Sequence, residues 1–219
     1  MAASPTLRGR VVLATRSDGK LRELGPMLAA AGWEAVTLSS LGVPEMPDED
    51  GLEVHDTFEA NALAKARWFF ARCGGLPVLA DDSGLCVNAL GGRPGVHSKR
   101  WSGRPELSGS ALDAANNAHL QTQLAGTEDR RAHYVCVVAW VGAAGEVVAR
   151  GETHGTILAT ARGAGGFGYD PYFLSDDLGV TFGEATREAK AMVSHRGKAL
   201  TALLSSGKVE SPYRATRHA

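Results

Sequence analysis

The stretch Pro77-Val78-Leu79-Ala80-Asp81-Asp82-Ser83-Gly84 passes abruptly from apolar to acidic residues and decides the predicted fold. Its first four residues are typical of a buried strand, which we expect to end at Asp81. The two aspartates then follow the carboxyl end of that strand, where open α/β sheets bind their ligands. Adjacent strand residues point to opposite faces, so only one aspartate enters a given cleft fully. A simple polar turn over Asp82-Ser83-Gly84 is the alternative interpretation.

Helix and strand patterns alternate on both sides of this stretch. Val11–Thr15 is typical of another buried strand, and the helical pattern after it contains Pro26, which should kink or break the helix. Asp56–Glu59 has the spacing of a capping box. The helix that it opens should bury one apolar stripe, formed by Phe58, Ala62, Phe69 and Cys73.

The second half of the chain mixes helices with a β-hairpin. The pattern predicts helices over Ser110–Leu124 and Thr186–Leu204, and hairpin strands over His133–Val141 and Glu146–Thr153. Residues 163–171 should form a loop and residues 205–219 a frayed tail. Because a hairpin interrupts the alternation of helix and strand, we expect an α/β fold with a mixed rather than purely parallel sheet.

Composition excludes several classes of protein. With 219 residues, 44% of them hydrophobic, the chain has ample length to bury a core. A formal charge of −1 argues against a nucleic-acid polymer as partner, whereas a few placed lysines suffice for a small phosphate ligand. The longest uncharged apolar stretch, Tyr134–Gly145, is shorter than the roughly 18 residues of a membrane helix. Three scattered cysteines and no recognisable secretory signal favour a cytoplasmic protein without disulfides or structural zinc.

Two segments have residues suited to phosphate. Thr15-Arg16-Ser17-Asp18-Gly19-Lys20 joins the first strand to its helix, where backbone N–H groups favour anions and Lys20 adds positive charge. The spacing of a Walker A loop is absent. Asn61 and Lys65 lie one turn apart on a later helix, away from its apolar stripe. A polar turn and a solvated lysine are the ordinary alternatives.

Three acidic residues are candidates for a metal site. Glu53, Asp81 and Asp82 supply hard carboxylate oxygens. Mg²⁺ prefers such ligands, typically taking one or two carboxylates and completing its shell with water and phosphates. The sequence therefore predicts a magnesium site that includes the acidic turn.

A glycine-rich loop, Gly163–Pro171, presents an aromatic ring and a carboxylate. It contains G-x-G-x-x-G, but Pro171 stands where a dinucleotide-binding helix should run, so that match is false. Phe167 is placed to stack on a base, which is worth about 1–3 kcal/mol. Asp170 can accept hydrogen bonds from ring N–H groups. The alternative is that the loop aromatics fill the core.

The last predicted helix carries three cationic or titratable side chains, Lys190, His195 and Arg196, with Gly197 beside them. An arginine fork donates well to a carbonyl oxygen such as O6 of a 6-oxopurine. A basic helix end that complements the helix dipole is the alternative. His195 has no second histidine near it in sequence, which argues against a metal site here.

Taken together, these segments resemble the inosine/xanthosine triphosphate pyrophosphatases, the Ham1-like family. The resemblance spans residues 11–204 and keeps the order of the family's motifs. Those motifs are Thr15…Lys20, Glu53…Thr57-Phe58…Asn61-Ala62…Lys65-Ala66, Ala80-Asp81-Asp82-Ser83-Gly84-Leu85, Gly165-Gly166-Phe167-Gly168-Tyr169-Asp170-Pro171 and Ser194-His195-Arg196-Gly197.

The resemblance implies hydrolysis of inosine, deoxyinosine and xanthosine triphosphates to the monophosphate and pyrophosphate, with Mg²⁺ as cofactor. It implies an elongated, twisted mixed sheet flanked by helices, with the active-site cleft between two lobes. It further implies one domain over residues 1–219, with its core over 11–204, and a homodimer.

The resemblance also assigns roles by position. Asp82 would accept a proton and bind the metal, with Glu53 as second ligand and Asp81 as a further candidate. The residues that would contact phosphates and sugar are Thr15, Arg16, Ser17, Asp18, Gly19, Lys20, Ser83 and Lys190, with Lys65 as a further candidate. Asn61 would also bind the substrate. Those that would hold the base are Phe167, Gly168, Tyr169, Asp170, His195 and Arg196.

Departures from the family pattern keep alternatives open. Ser17 stands where the family has Asn, Ala60 where it has an acidic residue, and Glu49 and Asp50 rival Glu53 as metal ligand. A catalytically silent nucleotide-binding protein is one alternative, which the retained aspartate pair opposes. A Maf-like pyrophosphatase for pyrimidine or modified nucleotides is another, which the Phe167–Asp170 loop and the His195-Arg196 pair oppose.

Overall fold

A computed structural model describes residues 8–209. Within them the strands are β1 Gly9–Leu13, β2 Trp33–Thr37, β3 Val78–Val87, β4 Arg131–Gly142, β5 Gly145–Ile157 and β6 Phe173–Ser175. The helices are α1 Asp18–Ala30, α2 Phe58–Phe70, α3 Gly109–Gln123, α4 Arg187–Val193 and α5 His195–Ser205. Across this described range, no helix is long and apolar enough to cross a membrane.

The strands form one mixed sheet in the order β2-β1-β3-β4-β5-β6. Strand β1 is parallel to both β2 and β3, whereas β5 and β6 are antiparallel. A two-residue turn joins β4 to β5, which makes them a hairpin. The predicted α/β class with a mixed sheet and flanking helices is therefore confirmed. The elongated shape and the cleft stay predictions.

Strand β3 corrects the expectation that the second buried strand ends at Ala80. It continues through the acidic residues to Val87, because Leu85, Cys86 and Val87 are again apolar and buried. Its parallel neighbour β1 pairs with it only as far as Leu79. The aspartates thus lie in mid-strand, but just beyond the carboxyl end of β1.

The predicted helix over Thr186–Leu204 is broken in two at Ser194. That residue has an extended backbone with ψ of 153°, and its hydroxyl accepts a hydrogen bond from the N–H of Gly197 at 3.1 Å. Serine competes for backbone groups in this way, which makes it a good helix cap and a poor interior residue. His195 therefore begins a new helix, α5.

Smaller differences concern helix ends. Thr57, not Asp56, caps α2 by accepting the N–H of Ala60 at 3.2 Å, so the predicted capping box is wrong by one residue. The helix ends at Phe70, and Cys73 lies beyond it, although it is buried. Pro26 lies inside α1 without ending it.

The chain divides into two compact units, and the prediction of a single domain stays a prediction. The described part of unit 1 is residues 8–82, 137–150 and 199–209, and its core includes the edge-to-face pair Trp33 and Trp140. Unit 2 is residues 83–136 and 151–198, with a core built around Tyr134, Phe173 and Phe182. The predicted tail lies outside the described residues from 210 onward.

Candidate active site

Six of the predicted site residues contact one another within unit 1, and we name them the charged cluster. They come from the start of α1, the segment before α2, α2 itself and β3. Its members are Lys20, Glu53, Asn61, Lys65, Asp81 and Asp82.

Two lysines of the charged cluster converge on Asp81. The ammonium nitrogen of Lys20 lies 3.1 Å from the Asp81 carboxylate, and that of Lys65 donates to the Asp81 carbonyl at 2.5 Å. Lys65 also forms an ion pair with Glu53. Burial lowers the pKa of Lys65, but the carboxylates of Glu53, Asp81 and Asp82 outweigh it, so the pKa is raised. Lys65 therefore remains a cation although it is buried.

Asp82 is a buried carboxylate of this cluster that accepts a hydrogen bond from a neutral donor. It is 5% exposed, and the amide nitrogen of Asn61 donates to its Oδ2 at 2.9 Å. Burial raises its pKa, and repulsion from Glu53 adds to that, against the opposing pull of Lys20 and Lys65. A carboxylate with a raised pKa binds a proton more readily, which is what a general base requires.

Asn61 ties Asp82 to the segment before α2. Its side-chain oxygen accepts the N–H of His55 at 2.9 Å, and its amide nitrogen donates to the His55 carbonyl at 3.2 Å. Asn61 is fully buried. Its amide thus holds the segment that carries Glu53, so the structure gives Asn61 a positioning contact in addition to the substrate contact that was predicted.

The segment Thr15–Lys20 is mostly a helix start. Ser17 caps α1 by accepting the N–H of Lys20 at 3.4 Å, and the Thr15 hydroxyl accepts the N–H of Ser17 at 3.1 Å. Asp18 is exposed in the first turn and Gly19 is buried. Lys20 is the member of this segment that reaches the charged cluster.

The hydrogen bonds described for Arg16 go to residues outside the charged cluster. Its guanidinium forms two hydrogen bonds with Glu49, at 2.7 and 3.0 Å, and donates to the carbonyls of Val43 and Pro44. Burial raises the pKa of Glu49, but Arg16 and the N–H of Met46 lower it further than that, so Glu49 is held ionised. Of the rival metal ligands, Glu49 is thus tied to Arg16, whereas Glu53 lies in the cluster.

The charged cluster fits Mg²⁺ through its donor chemistry. Glu53, Asp81 and Asp82 offer only carboxylate oxygens, and Lys20 and Lys65 offset part of their charge. Among the described side chains, those of residues 8–209 apart from Asp50, no three acidic, histidine or cysteine side chains form a group that could hold a metal ion. Mg²⁺ does not need three such ligands, because it usually takes one or two carboxylates and retains water or phosphate oxygens.

A second set of predicted residues meets within unit 2, and we name it the aromatic cluster. It joins the 163–171 loop to the break between α4 and α5. Its members are Ser83, Phe167, Asp170, Lys190, His195 and Arg196.

The Asp170 carboxylate organises the loop. Its Oδ2 accepts the N–H of Phe167 at 2.8 Å and the ammonium of Lys190 at 2.5 Å. Gly166 has a φ of +74°, and a Cβ there would collide with this carboxylate. Lys190 was expected at phosphate or sugar, and the structure places it in a buried ion pair beside the loop. Its substrate contact stays a prediction.

The Phe167 ring lies beneath two cations. The Lys190 nitrogen is 5.3 Å from the ring centroid and the Arg196 guanidinium carbon 5.7 Å. Arg196 is 2% exposed and donates to the Ser83 hydroxyl at 2.9 Å. His195 stacks on Tyr134, with 4.5 Å between ring centroids and 10° between planes. An arginine held this way, next to a partly exposed ring, can recognise a flat ligand that has a carbonyl edge.

Two loop residues of the predicted base site are held by the protein. Tyr169 is buried in the core of unit 2, its hydroxyl donates to the Ser98 carbonyl at 2.8 Å, and burial raises its pKa. The N–H of Gly168 donates to Asp113 and its carbonyl accepts from Asn117, both at 2.8 Å.

Comparison with known proteins decides the family. The model of the Ham1 family matches residues 11–206 of the chain. The chain belongs to the Ham1 family. A dITP/XTP pyrophosphatase of Ralstonia nicotianae is 47% identical over 199 residues, which are 89% of this chain and 94% of that relative.

Solved Ham1-family structures share the fold. The Ham1 protein of Staphylococcus aureus is 33% identical and gives a TM-score of 0.74 over 90% of this chain and 96% of that one. A nucleoside-triphosphatase / dITP/XTP pyrophosphatase of Mycobacterium abscessus is 44% identical, with a TM-score of 0.64 over 89% and 98% of the two chains. The resemblance drawn from the motifs is therefore confirmed.

The sequence did not reveal the residues that hold the 163–171 loop in place in this Ham1-family chain. Asp113 and Asn117 on α3 hold Gly168, and Ser98 receives Tyr169. A signal for α3 was present in Asn116-Asn117, because asparagine is a poor residue for a helix interior. Both are buried and hydrogen-bonded to segments outside the helix.

Proposed function

We propose that this Ham1-family chain hydrolyses inosine, deoxyinosine and xanthosine triphosphates to the monophosphate and pyrophosphate. The observation that carries the proposal is Asp82, a buried carboxylate with a raised pKa, in a cluster with Lys20 and Lys65. The names of the relatives, dITP/XTP pyrophosphatase, support the same substrates. We further expect a homodimer in the cytoplasm, as the resemblance and the cysteine pattern suggest.

The charged cluster suits attack by water on the α-phosphorus. Asp82 takes a proton from the water while the water oxygen forms a bond to the α-phosphorus. The bond between the α-phosphorus and the oxygen that bridges it to the β-phosphate breaks at the same time. The leaving group is pyrophosphate, which departs with its negative charge. A triphosphate brings about four negative charges, so Lys20 and Lys65 stabilise the charge that builds up during transfer. Asn61 keeps the Asp82 carboxylate oriented.

Glu53 and Asp82 are the residues that would hold Mg²⁺, with Asp81 as a further ligand. When bound, the ion supplies additional positive charge for the phosphate oxygens. Lys65, which pairs with Glu53, keeps that carboxylate in place.

The aromatic cluster suits a 6-oxopurine. Phe167 offers a stacking face, and Arg196 donates to the O6 carbonyl. Adenine presents an amino group at this position, and two donors cannot pair. A site that leaves a buried guanidinium opposite a donor rejects that base, because the lost hydrogen bond is costly when water is excluded.

One assay tests the proposal. Purified protein with Mg²⁺ is supplied with ITP, dITP, XTP, ATP, GTP, UTP or dTTP, and pyrophosphate release is measured. We expect rapid turnover of the first three. Equal turnover of ATP and ITP would remove the argument for base selection, and preference for UTP or dTTP would favour the Maf-like alternative. Binding of ITP without turnover would favour a silent nucleotide-binding protein.

A further inference from the structure

Helix α3 forms hydrogen bonds with both the N–H and the carbonyl of Gly168 in the 163–171 loop, and we call this pair of contacts the grip. Asp113 and Asn117 are one helical turn apart, so their side chains leave the same face of α3. The Asp113 carboxylate accepts the N–H of Gly168 at 2.8 Å, and the Asn117 amide nitrogen donates to the Gly168 carbonyl at 2.8 Å. Both polar backbone atoms of Gly168 are therefore used by α3.

The orientation of the Asn117 amide is fixed by its partners. Its nitrogen donates to the carbonyls of both Gly168 and Asp113, each at 2.8 Å. A reversed amide would set its oxygen against two carbonyl oxygens, which repel it. Asn117 is 7% exposed, so water does not readily replace these bonds. Position 117 thus requires a donor.

The grip restrains the backbone next to Phe167, and therefore the position of the Phe167 ring. Gly168 has a φ of +63°, a conformation that favours glycine, and it directly follows Phe167. The N–H of Phe167 itself is held by Asp170, and Tyr169, which follows Gly168, is anchored to Ser98 through its hydroxyl. The backbone that carries the ring therefore has three restraints, and α3 supplies the one at Gly168.

We propose that Asp113 and Asn117 are positioning residues for base selection, which set the preference for 6-oxopurines without touching the substrate. The inference rests on the proposed function. Discrimination requires the base to be held at a fixed distance from Arg196, and the Phe167 ring lies 5.7 Å from its guanidinium carbon. A loop that shifts by a fraction of an ångström changes this alignment, and misplacements near 1 Å cost about a hundredfold in other enzymes.

The charged cluster should be insensitive to the same change. The hydrogen bonds and ion pairs described above for the charged cluster join its members to one another and to His55 and do not involve Asp113, Asn117 or Gly168. Loss of the grip should therefore reduce selectivity and raise KM while leaving kcat with dITP close to its original value. A purely structural role would lower stability without changing the ratio between substrates.

Asn116 provides the matched control. It is the neighbouring residue on α3, is 4% exposed, and bonds the N–H of Ser102 at 2.8 Å and the carbonyl of Lys99 at 3.1 Å. Asn116→Ala should cost stability in the same way as loss of the grip, since it also removes buried hydrogen bonds. It leaves Gly168 untouched.

The test measures melting temperature, kcat and KM for dITP and dATP in the full-length chain and in four variants. Asp113→Ala should lower the dITP-over-dATP ratio of kcat/KM about tenfold or more. Asn117→Ser should do the same, because the single donor of a shorter serine side chain bonds the Asp113 carbonyl of its own helix and leaves the Gly168 carbonyl without its donor. Asp113→Asn, which keeps an acceptor for Gly168, should retain most of the ratio. Asn116→Ala should keep the original ratio even at a lower melting temperature.

The possible results distinguish failure of the positioning role of Asp113 and Asn117 from failure of the proposed pyrophosphatase function. An original chain that does not hydrolyse dITP contradicts the proposed function. A selective original chain whose folded Asp113→Ala and Asn117→Ser variants keep its ratio overturns only the positioning role, and so does an equal loss in Asn116→Ala. Should Asp113→Ala fail to fold, the milder Asn117→Ser decides the matter on the same criteria.

Discussion

The charged cluster and the aromatic cluster are built in opposite ways. In the charged cluster the side chains hold one another, and most of them stand on α2 and β3. In the aromatic cluster a loop carries the ring, and its backbone is held at Phe167 by Asp170 of the same loop and at Gly168 by two side chains of α3. The charged groups proposed to act in catalysis are thus mostly on regular elements, whereas the proposed base-binding surface is a loop held by hydrogen bonds.

The two designs carry different costs for stability. Three carboxylates beside two lysines leave one excess negative charge in the charged cluster, and burial raises the pKa of Asp82. The folded state therefore disfavours the ionised form that catalysis needs. In the aromatic cluster the buried carboxylate of Asp170 is matched by Lys190, and the guanidinium of Arg196 is a second buried cation, which lies near the Phe167 ring.

The largest effect that we expect is on turnover, from Asp82→Asn. Loss of a general base typically costs a factor of about 10²–10⁴, so kcat should fall by about a thousandfold. Stability should move the other way. Because the pKa of Asp82 is raised on folding, ionisation of this group destabilises the folded state, and stability falls as pH rises above the ordinary aspartate pKa.

Melting temperatures without Mg²⁺ check that sign. The Asp82→Asn variant should melt at or above the temperature of the original chain at pH 7, and the difference should shrink on acidification, where Asp82 is protonated in both states. Asp177→Asn, at an exposed ion pair with Lys198, is the control and should change neither turnover nor stability much. Undiminished kcat in Asp82→Asn would remove Asp82 as the base.

The next effect distinguishes two glutamates. Glu53→Gln should raise the Mg²⁺ concentration needed for half-maximal turnover about tenfold to a hundredfold, because it removes a ligand charge and the partner of Lys65. Glu49→Gln should leave that concentration unchanged and lower the melting temperature, because Glu49 pairs with Arg16. A Mg²⁺ dependence that shifts in Glu49→Gln and not in Glu53→Gln would exchange the two roles.

Features that depend on residues close together in the sequence could be predicted, whereas features that depend on distant residues could not. The alternation of helices and strands and the β4–β5 hairpin are local patterns, and they were predicted correctly, whereas the short strands β2 and β6 were not predicted. The length of β3 was not predicted, because the partners that Asp81 has in its buried strand include Lys20 and Lys65, which are 61 and 16 residues away in the sequence. The residues close to Asp81 in the sequence do not indicate those partners.

The same reason explains the site residues whose contacts were not anticipated. Arg16 looks like a phosphate ligand until Glu49, 33 residues later, is seen to accept its hydrogen bonds. Gly168 is held by residues 51 and 55 positions away. The break at Ser194 is local, but serine is compatible with both helix and cap, and tertiary contacts decide between them.

The smallest effect that we expect comes from Phe167→Leu, and it tests whether the aromatic cluster recognises the base. Leucine keeps apolar bulk but loses the stacking face, so KM for dITP should rise about tenfold while kcat stays within about threefold. Phe182→Leu is the matched control, because the Phe182 ring also lies beneath Lys190, at 5.2 Å, but is 1% exposed in the core of unit 2. That variant should lower the melting temperature and leave KM unchanged, since a fully buried ring has no face to offer a substrate. If KM rises equally in both, the ring under Lys190 supports the ion pair with Asp170 rather than the base, and the aromatic cluster becomes a structural feature.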